Sequence, residues 1–165
     1  MRKILDLSAV FVVLALVAGA CRAEDAVPAK FYKLDFVVKE VEGAKTHNAR
    51  TYSTVAVSKE GRPTSIRSGG KVPYSDGKEN TLLFVGVQID CHELREAPNG
   101  LSLWVDADIS SVPEPATNAD RPFVRQNKWG SIVVVPLKKP TVIFSSDDVT
   151  SKRQMQLELT ATAIP

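Results

Sequence analysis

The sequence predicts an all-β protein, an antiparallel β-sandwich or partly open barrel, preceded by an N-terminal signal-peptide helix. Three observations carry this expectation. Apolar and polar residues alternate with period two in segment after segment from residue 31 onward. Clusters of Gly, Pro, Asn and Asp separate those segments. No stretch after the first 23 residues sustains a 3.6-residue period.

The N-terminus has the layout of a secretory signal. Arg2 and Lys3 make a basic start, residues 7–20 form a short apolar run, and small residues follow. The run has only about two-thirds of the ~20 residues a membrane-spanning helix needs, and Asp6 stands just before it. Two cleavage points fit, one after Ala20 and one after Ala23. The first would expose Cys21, and "VAGAC" resembles a bacterial lipobox with Ala18 where Leu is usual. Cys21 is therefore a candidate lipidation site, and membrane attachment is expected only if it is acylated. The expected organisation is a signal peptide over 1–23, a polar linker over 24–30 and a single β-domain over 31–165.

Within that domain, residues 31–41 ("FYKLDFVVKEV") place Tyr32, Leu34, Phe36 and Val38 on one strand face. Residues 42–48 ("EGAKTHN") read as a turn and 49–58 as the returning strand, which puts His47 in the turn with solvent around it. Residues 64–80 ("TSIRSGGKVPYSDGKEN") read as a short extended piece between two glycine-rich turns. Two long strands around Cys91 come next, and then a Pro-rich loop over 111–122 with Pro113 and Pro115. Residues 123–137 and 140–146 are strands around a "KKP" turn. In the last strand, 153–164, Met155, Leu157, Leu159, Ala161 and Ala163 share one face.

The pair around Cys91 holds the densest set of chemical groups. Val85, Val87, Ile89 and Cys91 alternate with Gly86, Gln88, Asp90 and His92, while Leu101, Leu103, Val105, Ala107 and Ile109 alternate with polar partners. Both apolar sets must face the core, so an odd-length loop is needed, and Pro98-Asn99-Gly100 supplies a type I turn followed by a glycine bulge. In that register Cys91 lies opposite Ala107, Ile89 opposite Ile109, Asp90 opposite Asp108, His92 opposite Asp106 and Leu94 opposite Trp104. Cys91 and His92 then point to opposite faces, which excludes a Cys–His nucleophilic dyad. Cys91 reads as a small core residue. Asp90, His92, Trp104, Asp106 and Asp108 form the outward face, the candidate contact surface. Its carboxylates either hold a cation or are relieved by solvent or by a basic neighbouring chain.

Charge and motifs narrow the function classes. The chain has 21 basic and 19 acidic residues. Cleavage after Ala23 removes Arg2, Lys3 and Arg22 from the first count and Asp6 from the second, so the remainder is neutral, 18 against 18. Neutrality argues against a nucleic-acid partner and against a polybasic membrane surface. "SGGKVPYS" lacks the spacing of a phosphate loop, and Trp104 and Trp129 are more simply packing or interface groups than ligand platforms. No GxSxG, HExxH, CxxC or EF-hand pattern occurs. A non-enzymatic protein without a cofactor is expected.

Three segments together resemble the β-domain of bacterial secretins, the ring-forming outer-membrane gates of secretion and pilus systems. "SIRSGGKVPY" (65–74) is similar to their glycine-then-Val-Pro-Tyr segment, "FVGVQIDC" (84–91) to the strand that follows, and "LSLWVDADISSV" (101–112) to the next strand with its terminal serine. Residues 131–146 and 153–164 occupy the place of the closing strand pair. The resemblance implies a stand-alone exported module with the secretin strand plan, located in the periplasm or at the outer membrane of a Gram-negative bacterium. It implies an interaction or assembly role with an envelope or secretion-system partner. The alternative is a periplasmic small-ligand or metal-binding β-sandwich, using the acidic face or a pocket at one end.

Overall fold

The computed structural model describes residues 28–58, 62–75, 79–112, 123–148 and 151–165. The signal segment, Cys21, Pro113 and Pro115 lie outside the described residues. Among those described, eight strands follow one another: β1 (Phe31–Glu42), β2 (Lys45–Val57), β3 (Thr64–Ser75), β4 (Asn80–Ala97), β5 (Gly100–Ser111), β6 (Arg125–Val135), β7 (Thr141–Asp147) and β8 (Gln154–Ile164). They form two four-stranded antiparallel sheets, ordered β2-β1-β8-β7 and β3-β4-β5-β6. Neither sheet closes on itself, so the architecture is the sandwich and not the barrel.

Alternation explains the layering. Tyr32, Leu34 and Phe36 of β1, with Leu157, Leu159 and Ala161 of β8, are buried from the first sheet. Ile89, Cys91, Leu101, Leu103, Val105 and Val135 meet them from the second. Packing two such faces is the usual way for amphipathic sheets to remove apolar area from water, and each fully buried Leu or Ile contributes roughly 1.5–3 kcal/mol.

Several sequence expectations need correction. The first turn is only Gly43-Ala44, so His47 lies in β2 and its Nε2 sits 2.9 Å from Glu42 Oε2. β3 runs unbroken through Gly69 and Gly70, where a turn was expected. Those glycines are needed for close approach. Gly69 pairs with Gly86 across β3 and β4. A Cβ on Gly86 would meet the Ser68 carbonyl, and one on Gly69 would meet the Val85 carbonyl and the Phe84 ring. The "KKP" segment does not close a hairpin. β6 pairs with β5 and β7 pairs with β8, so this connection crosses between the sheets. It is tied down where the Lys138 N–H donates to the Ala161 carbonyl at 2.7 Å.

The β4–β5 register is also different. Cys91 lies opposite Val105, Ile89 opposite Ala107, Asp90 opposite Asp106 and His92 opposite Trp104. Ala97 pairs with Gly100, which leaves a two-residue turn, Pro98-Asn99. That turn by itself would set odd residues against even ones. A bulge restores the match: Glu93 and Leu94 together face Leu103, and Glu93 takes a φ of 54°. The faces expected from the alternation hold as far as His92, with partners displaced by two residues. At the bulge Leu94, expected outward opposite Trp104, turns inward and is buried in the core.

β4 is longer than its neighbour. Its pairing with β5 ends at Val87 and Ile109, whereas its pairing with β3 continues to Ser75 and Asn80. A two-stranded ribbon of about 20 Å therefore extends past β5, starting at the Gly69–Gly86 pair. Where β5 stops pairing, the buried Ser110 hydroxyl accepts the Gly86 N–H at 3.1 Å.

Candidate functional site

The outward face of the β3-β4-β5-β6 sheet carries all five sequence-predicted contact residues. Their positions follow from the even-numbered side of β4 and β5, opposite the core. The structure brings them together as neighbours but gives each carboxylate its own partner. Asp90 and Asp106 stand on paired positions, a placement that sets like charges across a ladder. The two side chains diverge. Asp90 turns to β3, where Arg67 Nη2 donates to both of its oxygens at 2.8 and 2.7 Å and Ser65 Oγ donates at 2.6 Å. Asp106 turns the other way and accepts the Trp104 indole N–H at 2.7 Å. Asp108 accepts two contacts from the Gln126 amide of β6, at 2.9 and 2.8 Å.

Electrostatics follow from those partners. Partial burial pushes the Asp90 carboxyl upward and is the largest single influence. The Ser65 hydrogen bond and the Arg67 guanidinium, helped by the nearby His92, outweigh it together and hold the group below the usual carboxylate value. His92 stacks on Trp104, with ring centroids 5.9 Å apart and planes at 17°, and its Nε2 is 4.0 Å from Asp106. Gly130 of β6 makes room for this cluster, because a Cβ there would occupy the space of an Asp106 carboxylate oxygen.

Cys91 points into the core, where burial pushes its thiol up to about 12, aided by the negative charges of Asp90 and Asp106. It is a packing group with no nucleophilic thiolate. The expected separation of Cys91 from His92 is therefore observed. Among the described residues, no group of three or more His, Cys, Asp and Glu side chains is arranged to hold a metal ion. The pairing of each acid with a different strand is the reason.

The structure adds residues the sequence reading did not single out. Ile132 pairs with Trp104 across β5 and β6, and Val134 pairs with Ser102. Both are more than half exposed, 57% and 53%. With Trp104 they make an apolar stripe beside the carboxylates. Their signal lay inside the run "SIVVV", which reads as uniformly apolar and conceals which alternate residues face outward. Arg67, the main cation on Asp90, was hidden because its placement depends on the β3–β4 register. At the other end of β4, Lys30 and the Tyr32 hydroxyl both donate to Glu96, joining the two sheets.

No family model matches this chain, and no curated protein matches it. Solved structures do. The type II secretion system secretin GspD of E. coli K12 superposes with a TM-score of 0.58 at 10% identity, over 95% of this chain and 54% of that one. The secretin InvG of the Salmonella SPI-1 type III secretion injectisome gives 0.58 at 11% identity, over 97% and 70%. The type II secretion system secretin XcpQ of Pseudomonas aeruginosa gives 0.52 at 12% identity, over 97% and 64%. The chain thus has the fold of a secretin β-domain, as the three sequence segments implied, and spans about half the length of the GspD chain it matches.

Proposed function

We propose that this protein is an exported, non-enzymatic interaction or assembly module of the bacterial cell envelope. The observation that carries this reading is the superposition of nearly the whole chain on secretins of type II and type III secretion systems. Fold by itself does not confer function, so the surface matters as well. The outward sheet face presents Trp104, Ile132 and Val134 beside Asp106 and Asp108. A partly exposed aromatic flanked by exposed aliphatic side chains with a polar surround is the usual composition of a protein contact. The partner is an envelope or secretion-system protein, or further copies of this chain, and the location is the periplasm or the outer membrane. The burial of the Cys91 thiol and the separate donors on Asp90, Asp106 and Asp108 support the non-enzymatic reading.

The test is the absolute mass of the purified protein by light scattering over a concentration series, alongside capture of partners from a solubilised envelope fraction. A discrete oligomer, or a stoichiometric envelope partner lost with Ile132→Lys, supports the reading. A monomer at every concentration that captures no envelope protein overturns it.

A further inference from the structure

One end of the sandwich departs from the rule that inward-facing strand positions are apolar. Register places Val38, Glu40 and, on β2, Asn48, Arg50 and Tyr52 on the same inner side of the first sheet as Phe36. Ser68, Arg125 and Asn127 occupy the corresponding inner side of the second, level with Val87 and Ile109. At the opposite end the same faces carry Tyr32, Leu34, Leu101, Leu103 and other buried apolar groups. Polar members there include uncharged Thr54, Thr64 and Ser131, with Glu96 at the edge held by Lys30 and the Tyr32 hydroxyl. Charged residues at positions patterned for a core are unfavourable unless they serve another purpose. Here they surround a cleft of about 350 Å³ between the sheets, a size typical of small-molecule sites.

The cleft has two chemical zones. Its floor is apolar, built from Val38, Tyr52, Val87, Ile109 and Met155. Its rim is polar, and most of the charge there is neutralised locally. Arg125 Nη1 donates to Asp148 at 2.8 Å, and Arg153 lies 3.7 Å from Glu40. Arg50 differs. It lines the same cleft, and no carboxylate among the described residues pairs with it. A guanidinium without a counter-ion beside an apolar floor matches a ligand with an anionic head and a hydrocarbon body.

We propose that this cleft binds a single-chain amphiphile, its alkyl chain on the Val38–Ile109 floor and its carboxylate or phosphate head on Arg50. Binding of this kind is independent of assembly through the outer face, because the cleft lies between the sheets. Isothermal titration of the purified full chain tests it, using decanoate, decyl phosphate, decanol and decyltrimethylammonium below their micellar concentrations. The expected result is saturable binding of one anionic amphiphile per chain, with the neutral and cationic probes at least tenfold weaker. Stronger binding of decanoate identifies a carboxylate head, and stronger binding of decyl phosphate a phosphate head.

Arg50→Gln is expected to weaken the preferred anion at least tenfold with an unchanged urea midpoint, since Arg50 is exposed. Ser68→Phe, which fills the cleft from an exposed position, abolishes binding. The proposal is overturned if neither anion binds, if decanol binds as tightly, or if Arg50→Gln leaves the affinity unchanged.

Discussion

Gly69 faces Gly86 across β3 and β4 at the point where the β3–β4 ribbon leaves the rest of its sheet. The backbones come so close there that either Cβ would collide with a carbonyl of the other strand. Gly86 also holds a φ of 150°, a conformation that side chains rarely adopt. Gly86→Ala is therefore expected to destabilise the protein by about 1–3 kcal/mol through overpacking and backbone strain. Gly70→Ala, with open space around its Cβ position, serves as the control. Urea denaturation of the two variants measures the difference, and equal midpoints would contradict this account of the pair.

Acid should weaken the fold partly through Asp90. Its folded carboxyl is held below the unfolded value by the Ser65 and Arg67 contacts, against the upward push of burial. A group lowered in this way contributes stability above its unfolded value, and that contribution is lost as pH falls toward the folded one. In Asp90→Asn, the decline in melting temperature from pH 5 to pH 2 is expected to be shallower than in the parent. A parallel decline in both proteins would remove Asp90 from the explanation.

Cys91 should be silent toward thiol reagents in the native protein. Burial raises its thiol to about 12 and leaves it 2% exposed, so the thiolate needed for reaction is scarce at neutral pH. Ellman's reagent at pH 8 is expected to label Cys91 only after unfolding. The comparison is made on protein lacking Cys21, by processing or by Cys21→Ser. Rapid native labelling would show that the core opens at this strand.

Leu103 is fully buried between the sheets. Leu103→Ala is expected to cost about 2–5 kcal/mol, the range for large-to-small changes in a packed core. Ile132→Ala, at a half-exposed site, is expected to change stability by less than about 0.5 kcal/mol. Chemical denaturation of both variants reads the contrast, and similar losses would mean that Ile132 is covered in solution.

His92 should tune the fluorescence of Trp104, on which it stacks. The stacked imidazole shields one face of the indole from water, so His92→Ala is expected to move the Trp104 emission maximum to the red at constant pH. Trp129→Phe removes the other indole, which sits 5.5 Å from Phe144. An unchanged emission maximum in His92→Ala would mean that the ring pair separates in solution.

Except for Leu94 at the bulge, the faces of the strands were legible in the sequence. Tyr32, Leu34 and Phe36, or Ile89 and Cys91, announce the core by alternation, because successive side chains on any strand point to opposite sides. That local rule separated Cys91 from His92 and placed Asp90, His92, Trp104, Asp106 and Asp108 on one surface. It also exposed the three segments whose likeness to secretins the superpositions bear out as a fold.

Partner identity was not legible, and the reason is physical. A shift of two residues leaves every side chain on the same face, so the pattern fits Cys91 opposite Val105 as well as Cys91 opposite Ala107. Only the tertiary structure chose between them, with a two-residue turn at Pro98-Asn99 and a compensating bulge at Glu93 and Leu94. The same choice paired Asp90 with Asp106, and the β3–β4 register gave Arg67 to Asp90. Likewise, the crossing of the chain from β6 to β7 and the meeting of Glu40, Arg50 and Arg125 at one end depend on how two sheets stack. Period and turn chemistry act over a few neighbouring residues. Sheet stacking is settled by the burial of both faces at once.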